Sequence, residues 1–156
     1  MTKPETWQQV YESAFPRLYR GLIAMGARPN EAEDALHDAF LDALGKNGAL
    51  QELRRPDGWL FVVAARRWRR QRIRERIFAP FSGARIESAG PSSERVAVLA
   101  EIAKLPLRQR QVLVSRYILD LSQEETAELL GIARGTVAAA TTQAAAKLRE
   151  RLGNDR

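Results

Sequence analysis

The sequence predicts an all-α chain of two small helical domains joined by a flexible linker. Three observations carry that expectation. Apolar residues recur at helical spacing, and no stretch alternates as a strand does. Residues 79–93, APFSGARIESAGPSS, have the Pro, Gly and Ser content of a connector. Beyond them, residues 122–137 read as two helices around a tight glycine turn. The expected units are 1–78, a linker at 79–93, and 94–156.

The first helix is expected over roughly residues 5–26, with Trp7, Val10, Ala14, Leu18, Leu22 and Met25 on one side and Pro16 as a local irregularity. A second, acidic helix covers 31–44, with Ala35, Leu36, Ala39, Phe40, Ala43 and Leu44 inward; Asn30 can cap its start and Gly45 can end it. Gly45, Gly48, Pro56 and Gly58 break the segment that follows. A long Arg-rich helix then runs from about Gly58 to Ile77. The linker can span at most ~50 Å at ~3.3–3.6 Å per residue, and its Phe81 and Ile86 can dock onto a neighbour.

Four helices are expected after it, near 93–103, 107–118, 123–130 and 134–151. Ser122 and Glu125 have the spacing of a capping box. Ala127 is the small residue where two helices cross, Gly131 makes the turn, and Leu130, Ile132, Val137 and Ala140 point inward. The second helix of such a pair can lie in a major groove. A plain three-helix bundle with a glycine cap would share part of this pattern.

Composition agrees with a nucleic-acid partner. The chain of 156 residues is 45% hydrophobic, has a net charge of +6 and contains no cysteine, which excludes disulfides and thiolate metal sites. The first residues, MTKPETWQQVYESAF, lack a signal-peptide core, and no run reaches the ~18 apolar residues of a membrane span. A soluble cytoplasmic protein without membrane insertion is expected.

The positive charge is concentrated. Between Arg54 and Arg76 nine arginines face two acidic residues, Asp57 and Glu75, a local net of +7; the rest of the chain sums to −1. Solvated helices usually mix signs for i,i+4 pairing. Arginine forks suit phosphates and stack on bases, and Trp59 and Trp68 lie among them. Aromatic rings interleaved with guanidinium groups suit single-stranded bases; the alternative keeps both tryptophans in the core. Upstream the sign reverses, with Asp34, His37, Asp38 and Asp42 on a polar helix face. Adjacent acidic and basic helices suggest two different partners.

Enzyme motifs fail. Gly21 and Gly26 have phosphate-loop spacing, but Ala27 and Arg28 stand where Lys and Ser or Thr are required. His37 is the sole histidine, which removes a His-based metal site or triad. The row Asp34, Asp38 and Asp42 has no loop to enclose a cation. No catalytic residue, metal or cofactor is expected.

Taken together, these motifs resemble the extracytoplasmic-function (ECF) sigma factors of the bacterial sigma-70 family. The likeness runs from about Phe15 to Leu152. Region 2 of that family carries Ala-Glu-Asp-x-x-Gln-Asp-x-Phe, matched by residues 32–40, AEDALHDAF, and Trp-Leu-x-x-x-Ala-Arg, matched with one residue of latitude by 59–66, WLFVVAAR. Region 4 is matched by Leu105, Pro106, Arg110, Val112, Leu113, Glu124, Glu125, Ala127, Leu130, Gly131, Ile132, Gly135, Thr136 and Val137.

The resemblance implies a subunit that binds core RNA polymerase and directs it to promoters, with no chemistry of its own. It implies a sigma region 2-like helical bundle and a sigma region 4-like helix-turn-helix. It places Asp34, His37, Asp38, Phe40 and Asp42 on the polymerase clamp. It places the loop 51–58 and the basic helix, with Arg54, Arg55, Trp59, Arg66, Arg67, Arg69, Arg70 and Arg74, on the unwound −10 element. It places Arg134, Thr136, Thr141, Gln143 and Lys147 on the −35 duplex, with the polymerase flap alongside. Promoter DNA and core polymerase are the implied partners, and an anti-sigma factor is a further candidate.

Three departures stand out. His37 replaces a usual Gln, and Thr126 replaces a usual Ile. After Val137, where the family has basic residues, this chain reads AAATTQAAA over 138–146, which forms helix readily but offers few phosphate donors. Two other readings stay open: a free-standing helix-turn-helix regulator, and a sigma-like interaction protein that no longer reads the −35 element.

Overall fold

The computed structural model describes residues 6–45, 50, 52–78 and 94–153, and the side chains within them except those of 76–78 and 94–96. The expected linker at 79–93, with Phe81 and Ile86, lies outside the described residues.

Among the described residues seven α-helices follow in order. Helix α1 is Trp7–Met25. Thr6 and Gln9 close a capping box at its start, and Gly26, at φ 113°, ends it in the left-handed region. Pro16 sits inside the helix. It faces solvent together with Glu12, so water can take the carbonyl left without an N–H partner.

Helix α2 is Pro29–Gly45. Its start differs from the expected Asn30 cap, because Pro29 pre-sets the first helical turn. The Arg28 backbone N–H donates to Glu31 Oε1 at 2.8 Å, in the manner of half a capping box. Helix α3, Pro56–Phe78, likewise starts on a proline, two residues earlier than expected.

Helices α4, Glu94–Ala103, and α5, Leu107–Leu113, lead into a π-helical turn at Val114–Ile118. Its i to i+5 bond runs from the Leu119 N–H to the Val114 carbonyl at 3.0 Å. The wider turn lets the chain bend so that Leu119 and Leu121 are both buried, with Asp120 between them at φ 58°. Helix α6 is Gln123–Leu130, with the expected Ser122–Glu125 capping box and Gly131 at φ 66°. Helix α7 is Arg134–Gly153.

The described helices share one large core. Leu18, Leu22, Leu36, Leu60 and Trp68 from α1–α3 are continuous with Ile102, Leu105, Val114, Leu119 and Leu121 from the second half. A small separate cluster, Val112, Ala127, Val137 and Ala140, holds the helix-turn-helix together, with Leu130 and Ile132 against it. Thr126 is fully buried beside it and its hydroxyl has no partner there. The two halves touch at glycines. A Cβ on Gly21 would lie 2.9 Å from Phe61 and 3.3 Å from Val114, so α1, α3 and the π turn meet only where no side chain intervenes. A Cβ on Gly58 would lie 3.1 Å from Leu129.

Candidate nucleic-acid interface

The acidic wall is built on α2. Ala32, Ala35, Leu36, Ala39 and Ala43 bury one side, which turns Asp34, His37 and Asp38 outward into solvent. Two expected members behave differently. Phe40 is half-buried and stacks on Tyr11, ring centres 4.5 Å apart, so it packs rather than projects. Asp42 pairs with Arg67, whose Nε donates at 3.0 Å and whose Nη2 also donates. Leu44, expected inward, is 52% exposed, and Leu41 is 51% exposed. Sequence reasoning missed this apolar pair; the signal was available, since Leu41 lies at i+4 and i+3 from His37 and Asp38.

Facing α2 across a cleft of about 780 Å³ stands the arginine row of α3. Arg66, Arg70 and Arg74 lie at i, i+4, i+8 and are exposed, opposite Asp34, Asp38 and Asp42. Arg69 and Arg72 turn the other way, toward the C-terminal end of α1. The tryptophans do not present open faces for base stacking. Trp68 is buried, with the Arg72 guanidinium 5.5 Å from its ring centre. Trp59 is half-buried against Trp7 at 5.2 Å. Both follow the core alternative, because they lie on the side of α3 that packs against the core rather than on the side that carries Arg66, Arg70 and Arg74.

Arg54 and Arg55 both reach the helix-turn-helix. Arg55 donates to Asp57 at 2.9 and 3.0 Å, to the Leu119 and Asp120 carbonyls at 3.2 and 3.3 Å, and to Glu125 at 3.3 Å. Arg54, about half exposed, lies 3.5 Å from Glu128, 3.7 Å from Glu124 and 3.9 Å from Glu125. Asp57 also takes Arg17 at 3.2 Å. Burial pushes the Asp57 carboxyl up, but Arg55, the Gly58 N–H and Arg17 outweigh it and hold its pKa below the ordinary value. Glu125 is lowered in the same way, with Ser122 and Arg55 overcoming burial. In this arrangement every Arg55 donor is taken up within the protein.

On α7, burial of Val137, Ala140 and Ala144 leaves Arg134, Thr136, Thr142 and Gln143 exposed. Thr141 lies at i+4 from Val137, on the flank of the buried stripe; it is half-buried and its hydroxyl donates to the Val137 carbonyl at 2.8 Å. Thr142 occupies the outer position expected of Thr141. Gln143 Oε1 accepts from Gln109 at 3.4 Å, and Lys147 is half-buried. Among the described residues no group of three or more His, Asp or Glu side chains converges to hold a metal ion.

Comparison with known proteins bears on this arrangement. Residues 95–148 match the family described as Sigma-70, region 4. Over 153 residues the chain is 31% identical to the RNA polymerase sigma-E factor of Streptomyces avermitilis, covering 95% of this chain and 84% of that protein. The chain belongs to the ECF sigma factors of the sigma-70 family. It is also 31% identical to the ECF RNA polymerase sigma factor SigM of Mycobacterium tuberculosis, over 94% of this chain and 77% of that one. The fold matches the sigma factor RpoE of Bartonella quintana, solved with the anti-sigma factor NepR, at a TM-score of 0.74 and 23% identity, over 96% of this chain and 98% of that one. It also matches CnrH, solved with the cytosolic domain of CnrY, at a TM-score of 0.70 and 25% identity, over 96% and 89% of the two chains. As an alternative sigma factor, the protein binds core RNA polymerase and directs promoter-specific initiation. No helix among the described residues of this sigma factor is long and apolar enough to cross a membrane.

Proposed function

We propose that α1–α3 serve as region 2 and α4–α7 as region 4, and that the two surfaces built above divide the work. Asp34, His37 and Asp38, with the exposed Leu41 and Leu44, dock on the polymerase clamp. Arg66, Arg70 and Arg74 track the unwound −10 strand. Arg134, Thr136, Thr142 and Gln143 face the −35 duplex, mostly through methyl groups and hydrogen bonds rather than charge. The protein supplies no catalytic group: the polymerase makes RNA in the cytoplasm and this subunit chooses where. Solved relatives of this fold carry bound partners, an anti-sigma factor on RpoE and the cytosolic domain of CnrY on CnrH. They support an anti-sigma factor as a third partner.

The observation that carries the reading is the separation of signs onto facing helices, acids on α2 and arginines on α3. A second observation adds a step. The −10 and −35 elements lie ~25 base pairs apart, on the order of 85 Å at ~3.4 Å per pair. With Arg54 and Arg55 held against α6, the halves cannot straddle that distance, so the closed form opens before both elements are read. Run-off transcription with purified core polymerase and a genomic DNA library tests the assignment. Specific initiation that is lost in an Arg66→Ala, Arg70→Ala variant is expected. Duplex binding without core polymerase, and no initiation with it, points to a free-standing regulator instead.

A further inference from the structure

Gln143, on the outer side of α7, is tied to a second glutamine. Gln109 of α5 donates from Nε2 to Gln143 Oε1 at 3.4 Å. Gln109 is half-buried and Gln143 is exposed, so the donor is set in the protein and the acceptor faces outward. Thr136, Ala139, Thr142 and Ala146 are the exposed neighbours of Gln143 along the helix. All four are small, so a base edge can come close to the amide.

The inner end of Gln109 is costly. Its Oε1 is buried without a hydrogen-bond partner, and an acceptor taken from water without a replacement destabilises a fold. A leucine of similar size would fill the space without that cost. Packing therefore does not account for a glutamine at this position. Its outward end, the Nε2 that meets Gln143, does.

A glutamine amide is nearly symmetric in shape and opposite in chemistry at its two ends. Turned one way it matches adenine, with Nε2 donating to N7 and Oε1 accepting from the N6 amino group. Turned the other way, each end meets its own kind. The bond from Gln109 selects one order. It takes one of the two lone pairs of Oε1 and leaves the other, with both Nε2 hydrogens, for a base. Guanine presents acceptors at both N7 and O6, so its O6 would meet Oε1. Thymine and cytosine each offer the amide a single suitable group. We propose that Gln109 is a positioning residue that fixes the Gln143 amide for one adenine of the −35 element, and so sets base preference without touching DNA. The inference rests on the assignment of α7 to the −35 duplex, and adds which base is read and what holds the reader.

The test uses holoenzyme made from core polymerase and the full chain, with promoter fragments randomised across the −35 element and sequenced before and after capture. Gln143→Ala should flatten one base position. There the parent should favour adenine about tenfold, and 7-deazaadenine, which lacks the N7 acceptor, should remove the advantage. Gln109→Leu should lose about a factor of three of that preference, the worth of a neutral hydrogen bond. Gln109→Glu, which can only accept and so turns the amide, should lose all of it. Gln109→Lys, still a donor to Oε1, should keep it. The added charges alter affinity for every fragment alike and leave the base ratio unmoved. Gln109→Leu should also melt no lower than the parent; a clear fall shows that the glutamine serves packing and overturns the proposal. So does an unchanged adenine preference in Gln109→Leu and Gln109→Glu, its loss in Gln109→Lys, or guanine favoured at that position. Enrichment at other −35 positions, with none responding to Gln143→Ala, sinks this inference alone. No enriched position at all removes the −35 assignment with it.

Discussion

Glu125→Gln is expected to loosen the closed form without undoing the helix that carries it. A glutamine at this position still closes the capping box with Ser122, so α6 keeps its start. What changes is the partner of Arg55: an ion pair at 3.3 Å becomes a hydrogen bond from the still-charged guanidinium to a neutral amide oxygen, so only the charge–charge attraction is lost, ~1 kcal/mol at the upper end for such pairs. The difference, ~1 kcal/mol, multiplies the open population by about five. Arg54→Ala removes pairs at 3.5–3.9 Å in which Arg54 is about half exposed; solvent limits such pairs to ~0.2–1 kcal/mol, and salt screens them further. The chain has no cysteine, so dyes on Glu33→Cys in α2 and Arg149→Cys in α7 report one distance by single-molecule energy transfer. The low-transfer population should rise about fivefold in Glu125→Gln, and less in Arg54→Ala. Acid should act through the same carboxylates. Glu125 and Asp57 titrate below their ordinary values of 4.5 and 3.8 in this arrangement. Their contribution is complete above those values and is lost as pH falls through the lowered ones. Moving from neutrality to about pH 5 should therefore change little, and further acidification should open the protein. Unchanged transfer in both variants, with normal melting, refutes the idea that these ion pairs hold the halves together.

Asp38→Arg with Leu41→Asp should weaken co-purification with core polymerase while leaving the melting curve in place, because exposed changes usually stay within ~0.5 kcal/mol of stability; undiminished capture removes the α2 docking face. Arg66→Ala with Arg70→Ala should flatten the log–log salt dependence of holoenzyme binding to a pre-melted −10 template by ~1.4, at ~0.7 per single-strand phosphate contact. Gln143→Ala should instead cost ~1–3 kcal/mol at one base pair with the slope unchanged, read by the same titration on −35 duplexes. Gly21→Val places methyl groups where a Cβ already lies 2.9 Å from Phe61. Overpacking of ~1–3 kcal/mol should lower the melting temperature by several degrees, and an unaltered Tm would show that the helices part easily there.

Much of the architecture was legible because it is local. The 3.6-residue stripe of α1, the Ser122–Glu125 box and the Gly131 turn each declare themselves within a few residues. What escaped is long-range. Arg54 and Arg55 look like free cations along the chain, and only the fold brings Glu124, Glu125 and Glu128 against them. Trp59 and Trp68 sit among arginines in sequence, yet helix geometry turns them onto Trp7 and into the core. Thr141 and Thr142 differ by one position and hence by ~100° around the helix, which is finer than an alanine-rich pattern can resolve. The family resemblance supplied roles for Phe40 and Asp42, but not the Tyr11 ring and the Arg67 fork that occupy them.

The continuous core has a consequence for the lifetime of any opened molecule. Separating the halves uncovers Val114, Leu119, Leu121 and Ile102, all buried at present, on one side, and Phe61 and Leu60 on the other. Hydration of that area raises the heat capacity and presents two adhesive faces at once. An opened chain left alone would re-close or stick to its neighbours. Whatever draws the halves apart must therefore also cover what it exposes. The free protein and the working one are then related by an exchange of apolar partners rather than by a simple hinge motion.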